Sequence, residues 1–164
     1  MTSAYLGLGS NVGDRLENLR AGARLLDATA GIDVLEASSV YETEPVGEVT
    51  DQRDFYNAAL RVETTLEPRE LLNACKTIEL DLGRKPGAAR HGPRPIDVDL
   101  LLVGQLELAD DALTLPHPQL LDRRFVLVPL LELDSALATP DGTSLARALA
   151  GLAPGQSVER VAQL

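Results

Sequence analysis

Residues 84–103, RKPGAARHGPRPIDVDLLLV, join a basic loop rich in glycine and proline to a hydrophobic segment that carries two aspartates. From residue 84 to residue 96 there are four lysines and arginines and no acidic residue, although the whole chain has a formal net charge of −10. A local excess of positive charge attracts an anionic ligand. The apolar run from Ile96 to Val103 predicts a strand, so the basic loop ends where a sheet begins.

The rest of the chain supplies the other elements of an α+β fold. The predicted core elements, in order, are a strand at 3–9, a helix from about 14 to 31, strands at 32–42 and 55–66, a helix from about 68 to 83 and the strand at 96–103. This is the βαββαβ order of a ferredoxin-like core. We also predict additional C-terminal helices and short strands: an arm at 106–109 that pairs back onto the preceding strand, helices at 125–133 and 144–152, and a strand at 158–161.

Composition restricts the class of protein. The 164 residues, 45% of them hydrophobic, fit a single domain at 1–164. The chain has no apolar run of the roughly 18–20 residues needed to span a bilayer, and no signal peptide, so no membrane partner is expected. The lone Cys75 suits a cytoplasmic location. The acidic balance and the scarcity of aromatic residues argue against nucleic acid, and one compact domain predicts a monomer.

Asp97 and Asp99 form the first candidate site. Side chains alternate along a strand, so both carboxylates leave the same face, about 6.7 Å apart at Cα. Two parallel carboxylates can hold one or two Mg²⁺ ions and leave positions for phosphate oxygens and water. The alternative is a polar row on an edge strand that faces solvent.

The basic loop offers guanidinium groups at Arg84, Arg90 and Arg94. Arginine presents a planar fork that suits phosphate, and the glycines permit movement, so the loop could close over a polyphosphate. The alternative is a solvated loop with scattered charge.

Four further residues are candidates. His117, held between two prolines, could donate a hydrogen bond to phosphate or cap a carbonyl. Glu79 falls on the inward side of its helix and needs a partner or a ligand, with Lys76 as the simplest partner. Phe55 and Phe125 could sandwich a flat heterocycle or simply fill the core.

At this point the chain resembles a known family, 6-hydroxymethyl-7,8-dihydropterin pyrophosphokinase of the folate pathway. The matching segments are AYLGLGSN at 4–11, Tyr41-x-Thr43-x-Pro45, Phe55-Tyr56-Asn57-Ala58, Ile78-Glu79, Leu82-Gly83-Arg84, Arg90-x-Gly92-Pro93-Arg94-x-Ile96-Asp97-x-Asp99, Pro116-His117 and Arg123-x-Phe125. One of these segments is weak support, but all of them in order are a specific signature.

The resemblance implies a ferredoxin-like core and transfer of pyrophosphate from ATP to the pterin hydroxymethyl group, with release of AMP. It implies that Asp97 and Asp99 bind two Mg²⁺ ions. The implied ATP contacts are Glu79, Arg84, Arg94, His117 and Arg123, with Arg84 and Arg94 on the lid. The implied pterin contacts are Phe55 and Phe125 on the two ring faces, with Asn57 and the segment Thr43, Glu44 and Val46 at the edges.

Four positions depart from the family's frequent residues: Lys76 replaces Gln, Glu44 replaces Pro, His91 replaces Trp and Pro118 replaces Tyr. None of these changes removes an implied metal ligand or stacking ring. Two other functions are compatible with parts of the pattern. A metal-dependent phosphodiesterase or nuclease could use the same aspartate pair, and a ligand-sensing module could use the fold without catalysis.

Overall fold

The computed structural model describes residues 1–45, 51–83 and 93–164, and the statements below concern these parts of the chain. In chain order, the elements are β1 (Thr2–Ser10), α1 (Arg15–Asp27), β2 (Ile32–Ala37), β3 (Ser39–Thr43), β4 (Phe55–Thr64), α2 (Pro68–Asp81), β5 (Asp97–Val103), β6 (Leu108–Ala109), β7 (Thr114–Leu115), a short 3₁₀ helix (Leu120–Asp122), α3 (Arg124–Leu133), α4 (Leu145–Gly151) and β8 (Val158–Gln163). In the described parts, no helix has the length and apolar character that crossing a membrane requires.

Six of the strands form one antiparallel sheet. Its order is β5-β1-β4-β3-β8, and β2 also pairs with β4. β1 is an interior strand, because it pairs with β4 on one side and with the edge strand β5 on the other. The predicted α+β class with a ferredoxin-like core is confirmed, and the predicted last strand is present as β8, which extends the sheet beyond β3.

The sheet separates two hydrophobic cores, as the alternation along β4 requires. Ala58, Leu60 and Val62 of β4 face one core, and Ala59 faces the other. The first core is completed by α1 and α2 through Leu19, Leu26, Leu71, Cys75 and Ile78. The second is completed by α3 and α4 through Leu127, Leu130 and Leu145. The cores use the apolar residues of β4 and β5. The first residues of these two strands, which include Asn57 and Asp97, are therefore available to line a site.

The second predicted strand, at 32–42, is wrong as a single element, because the chain breaks into β2 and β3 at Ser38. Ser38 is buried, and its backbone N–H donates to the carbonyl of Ala59 at 2.8 Å. Its hydroxyl in turn accepts from the N–H of Ala59 at 2.8 Å, so a side chain replaces a ladder bond there. The break lets β2 and β3 pair with different halves of β4 and leaves β3 open to β8.

The predicted pairing of 106–109 back onto the preceding strand is also wrong. β6 instead pairs with β7 in a separate two-stranded sheet. Asp110 closes the turn between them, since its Oδ1 accepts from the backbone N–H groups of Ala112 and Leu113, each at 2.9 Å. Because an aspartate can satisfy two turn donors at once, the local hairpin is favoured over pairing with β5.

Glu132 of α3 holds the helix against β3. Its carboxylate accepts from the Tyr41 hydroxyl at 2.5 Å and from the Ser39 N–H at 2.9 Å, and Arg160 of β8 lies 3.5 Å away. Burial by itself raises the pKa of Glu132, but the hydrogen bonds from Tyr41 and Ser39, together with Arg160, outweigh it and hold the pKa below its ordinary value. Burial and the bond to Glu132 raise the pKa of Tyr41 to about 12.

Replacing Glu132 with alanine should lower the free energy of unfolding at pH 7 by about 2–3 kcal/mol, because the buried donors of Tyr41 and Ser39 lose their acceptor. The folded-state pKa is lowered, so this stabilisation is present above the unfolded pKa near 4.5 and is lost as pH falls through the folded value. Urea denaturation at pH 7 and at pH 3 measures both effects. Glu132→Gln keeps an acceptor, so its free energy of unfolding should fall less than that of Glu132→Ala. An equal fall in the two variants would contradict the role of the hydrogen bonds.

Candidate active site

Asp97 and Asp99 lie at the start of β5 on either side of the buried Val98. Both carboxylates line the same two cavities, as the strand period requires. We call them the acidic pair. Opposite Asp97 and Asp99, the neighbouring strand β1 carries Gly9 and Gly7, which present no side chain toward the pair.

The charged form of Asp99 is disfavoured in the acidic pair. Burial, together with the nearby carboxylates of Asp97 and Glu79, raises the pKa of Asp99 to about 8, although Arg123 and Arg94 oppose the shift. A divalent cation would relieve this repulsion. Within the described residues no group of three or more His, Cys, Asp or Glu side chains is arranged to hold a metal ion. Two carboxylates are nevertheless a ligand set that suits Mg²⁺, because this ion is usually bound through one or two carboxylates and takes its other ligands from water and phosphate.

Glu79 fixes the backbone between the two aspartates. It is 7% exposed on the inward side of α2, and its Oε2 accepts from the Val98 N–H at 2.8 Å. The partner that a buried carboxylate needs is thus supplied by β5. Glu79 also lines the same cavity as Lys76 and the acidic pair, so it orients the strand and contributes charge to the site.

Arg94 is held in place by its backbone as well as by its side chain. Its N–H donates to Oδ1 of Asn11 at 2.7 Å, and its carbonyl accepts from the Asn11 N–H at 3.0 Å. Its Nη1 lies 3.1 Å from Asp97 Oδ1. Among the described residues, none accepts from its buried Nε. Because buried donors are usually satisfied, this Nε is suited to an oxygen of a bound anion.

His117 lies beside the acidic pair on the segment after β7. Its backbone N–H donates to the carbonyl of Leu101 at 2.9 Å, and its Nδ1 accepts from the N–H of Gln119 at 3.1 Å. Since Nδ1 accepts, the network assigns the ring proton to Nε2. Burial lowers the pKa of His117, and Arg123 lowers it further against the opposing charge of Asp97. His117 is therefore a neutral donor at pH 7.

Phe55 and Phe125 line one cavity, which we call the aromatic slot. Phe55 begins β4 and Phe125 lies in the first turn of α3, so the two rings reach the slot from different elements. The slot is further lined by Thr43, Glu44 and Asn57. The Asn57 amide donates to Thr43 Oγ1 at 2.6 Å, which fixes the orientation of its polar atoms.

Arg123 lies at the entrance to α3. Its guanidinium carbon is 5.5 Å from the centroid of the Phe125 ring, within the range of a cation–π contact. It also donates to Oε1 of Gln119. Arg123 lines the aromatic slot, and its charge lowers the pKa values of Asp99 and His117. It therefore lies close to both of these residues.

A second, more polar cavity lies on the other side of the acidic pair. We call it the polar cavity; its lining includes Lys76, Glu79, Asp110, His117 and Pro118. Asp97, Asp99 and Arg94 line both cavities. The aromatic slot and the polar cavity therefore meet at two carboxylates and one guanidinium.

Not every predicted site residue can be placed. Arg84, Arg90 and Val46, together with the departure at His91, lie outside the described residues. Sequence reasoning missed two contributors. Gly9 and Asn11 entered it only as part of the matching segment at 4–11, with no role in the site, yet Gly9 borders Asn57 and Asn11 bonds to Arg94. The Gly-Ser-Asn sequence at the end of a strand was the available signal, but the partners are distant in sequence.

The fold and these joined cavities define a ferredoxin-like α+β protein in which two cavities share an acidic pair. A family model described as 7,8-dihydro-6-hydroxymethylpterin-pyrophosphokinase (HPPK) matches residues 5–135. The chain belongs to the HPPK family, and the resemblance drawn from its motifs is confirmed.

Named relatives agree with the family. A 2-amino-4-hydroxy-6-hydroxymethyldihydropteridine pyrophosphokinase of Methylorubrum extorquens is 45% identical over 161 residues, which are 98% of this chain and 99% of that protein. A mitochondrial folate synthesis bifunctional protein of Arabidopsis thaliana is 50% identical over 128 residues, 78% of this chain and 23% of that protein. The chain thus spans about a quarter of the length of the plant relatives it matches.

Solved structures show the same fold at low identity. A crystal structure of HPPK-DHPS in complex with substrates aligns with a TM-score of 0.72 at 12% identity, covering 91% of this chain and 43% of that chain. Wild-type Plasmodium falciparum HPPK-DHPS aligns with a TM-score of 0.67 at 16% identity, covering 92% and 43%. At this level of identity the likeness concerns the fold alone.

Proposed function

We propose that this chain transfers pyrophosphate from ATP to the hydroxymethyl group of 6-hydroxymethyl-7,8-dihydropterin, giving AMP and the pterin diphosphate in folate biosynthesis. One observation carries the proposal. The aromatic slot suits a flat heterocycle, the polar cavity suits a nucleotide, and the acidic pair and Arg94 line both. A group can therefore pass from one ligand to the other without leaving the site. Membership of the HPPK family supports this choice of substrates.

Asp97 and Asp99 would hold Mg²⁺, with two ions expected when ATP is present. When bound, Mg²⁺ neutralises and orients the phosphate oxygens. Glu79, Arg84, Arg94, His117 and Arg123 would bind ATP. Of the described members of this set, Arg94 offers its unsatisfied Nε and His117 offers a neutral Nε2–H.

The pterin would lie between Phe55 and Phe125. Its hydrogen-bonding edge would face Asn57 and the segment that contains Thr43, Glu44 and Val46. An aromatic pair binds a flat ring by stacking, while fixed polar groups at its edge select the orientation. The bond between Asn57 and Thr43 presets those groups before the ligand arrives.

The transfer would be a direct displacement. The pterin hydroxyl oxygen forms a bond to the β-phosphorus of ATP and its proton passes to water, while the bond from that phosphorus to the oxygen of AMP breaks and AMP departs. Such chemistry depends on positioning and charge stabilisation and needs no covalent nucleophile. Arg94, which lies next to Asp97, would stabilise the charge that develops, and His117 would donate to a phosphate oxygen.

We further propose that the chain acts as a single domain, without a partner chain and in the cytoplasm. One sheet carries helices on both faces, and the lone Cys75 is fully buried in the first core, so neither a disulfide nor a second subunit is needed to complete the site. Sedimentation of the purified protein tests the monomeric state.

A single assay tests the proposed function. The protein is incubated with ATP, Mg²⁺ and 6-hydroxymethyl-7,8-dihydropterin, and AMP and the pterin diphosphate are quantified. Both products should form in equal amounts. Release of AMP without the pterin would favour the phosphodiesterase or nuclease alternative, and no ATP consumption at all would favour a sensing module.

Gly9→Ala should weaken pterin binding by about tenfold or more. A Cβ at Gly9 would lie 2.8 Å from Asn57 Oδ1, closer than real Cβ contacts, so the Asn57 amide must move. Titration calorimetry with the pterin and with an ATP analogue measures the two sites separately, and nucleotide affinity should change less. Gly7→Ala is the matched control, because the three atoms nearest its Cβ would all belong to the Leu101 side chain, the nearest at an ordinary 3.4 Å. Equal effects of the two variants would contradict this account.

A further inference from the structure

The outer wall of the aromatic slot depends on the C-terminal part of the chain. Thr43 ends β3, where it pairs with Phe55 of β4 on one side and with Val158 of β8 on the other. From the slot side, the Asn57 amide donates to the Thr43 hydroxyl. The position of Thr43 is therefore set from two directions, and one of them is supplied by residues near the end of the sequence.

The next residue, Glu44, makes two contacts to the segment that precedes β8. Its Oε1 accepts from the backbone N–H of Ser157 at 2.9 Å. Its main-chain carbonyl accepts from the side-chain amide of Gln156. One of these bonds involves a charged acceptor, which strengthens it relative to a neutral pair. Together they fix both the side chain and the main chain of Glu44.

We propose that Glu44, Gln156 and Ser157 form a tether that sets the shape of the aromatic slot and so tunes its affinity for the pterin. This inference rests on the proposed function, because it assigns the slot to the pterin. Gln156 and Ser157 are positioning residues in this account: they act through Glu44 and touch no reacting atom. They lie beyond residue 135, where the match to the family model ends, so the tether belongs to the C-terminal segment of this chain.

The tether acts on one of the two ligand sites only. Glu44 and Thr43 line the aromatic slot, whereas none of the three tether residues is among the described residues that line the polar cavity. Release of the tether should therefore alter pterin binding and leave nucleotide binding unchanged. A general loosening of the fold would instead weaken both ligands.

The test compares Glu44→Ala, Gln156→Ala and the double variant with wild type. Pterin affinity is measured by calorimetry in the presence of Mg²⁺ and a non-hydrolysable ATP analogue, and the analogue is titrated separately. Each hydrogen bond lost should raise the pterin Kd about threefold to tenfold. Glu44→Gln keeps an acceptor for Ser157 and should restore most of the affinity. Glu159→Ala, which removes an exposed charge two residues beyond Ser157, is the matched control and should bind as wild type.

An unchanged pterin Kd in the double variant would overturn the proposal, as would an equal loss of nucleotide affinity. Failure of Glu44→Gln to improve on Glu44→Ala would overturn the hydrogen-bond basis of the tether. These outcomes are distinct from failure of the proposed function, which would appear as a wild-type protein that makes no pterin diphosphate.

Discussion

Asp99→Ala is expected to lower turnover by about a thousandfold or more while the protein still folds. Asp97→Ala should have a similar effect. The two carboxylates are the metal-binding groups of the proposed site, and loss of charge stabilisation at a phosphoryl centre costs several kcal/mol in the barrier. Neither side chain belongs to the two hydrophobic cores, so the fold does not depend on them. Steady-state formation of AMP and pterin diphosphate at saturating Mg²⁺ measures the loss.

Although Asp99→Ala should lose activity, in the absence of metal it should be more stable to unfolding than wild type. Because burial, together with the nearby carboxylates, raises the pKa of Asp99 to about 8 from 3.8, the folded protein binds a proton between these values that the unfolded chain releases. The free energy of unfolding therefore falls as pH rises across this range. Asp99→Ala removes that penalty, so thermal unfolding in EDTA should show the variant gaining stability relative to wild type between pH 5 and pH 8.

The matched control for the acidic pair is Asp33→Ala, on an exposed position of β2 away from the site. It should retain wild-type turnover. If an Asp97 or Asp99 variant kept wild-type rates with Mg²⁺, the assignment of the metal-binding residues would be wrong. Circular dichroism of the Asp97 and Asp99 variants would reveal any loss of folded structure. It therefore separates a structural effect of the substitution from a catalytic one.

The sequence allowed the core of the fold to be predicted because its local signals agree with its packing. The alternation along β4 and the helical spacing of α2 each place apolar side chains on one face, and those faces form the first core. The predictions were wrong where a polar side chain replaced a regular bond. Ser38 divides a continuous-looking strand, and Asp110 closes a local hairpin, and neither effect is visible in hydrophobic periodicity.

The sequence predicted which residue types share a face in the candidate site, but it predicted only some of the hydrogen bonds that hold them. The alternation of a strand gives the shared face of Asp97 and Asp99 directly. The partner of Glu79 could not be found in the same way, because the Val98 N–H belongs to a strand that begins after the basic loop. The bonds from Asn11 to Arg94 and from Glu44 to Ser157 join residues 83 and 113 positions apart, and a single sequence contains no signal for such pairs.

Arg94→Ala is expected to lower kcat about a hundredfold or more, with a smaller effect on nucleotide affinity. The guanidinium lies 3.1 Å from Asp97 and Arg94 lines both cavities, so in the proposed transfer it would stand where charge develops. An interaction that strengthens in the transition state affects kcat more than ground-state binding. The backbone bonds of residue 94 to Asn11 do not involve the side chain, so the variant should keep its local structure.

Arg94→Lys distinguishes charge from geometry. Lysine keeps the positive charge but lacks the planar fork and the Nε donor, so kcat should recover only in part. Arg147→Ala, on α4 and away from both cavities, is the matched control and should behave as wild type. Single-turnover kinetics with both substrates bound reports the transfer step, and calorimetry with an ATP analogue reports binding. A variant that lost nucleotide affinity a hundredfold while kcat stayed unchanged would make Arg94 a binding residue, because only an interaction present equally before and during transfer gives that result.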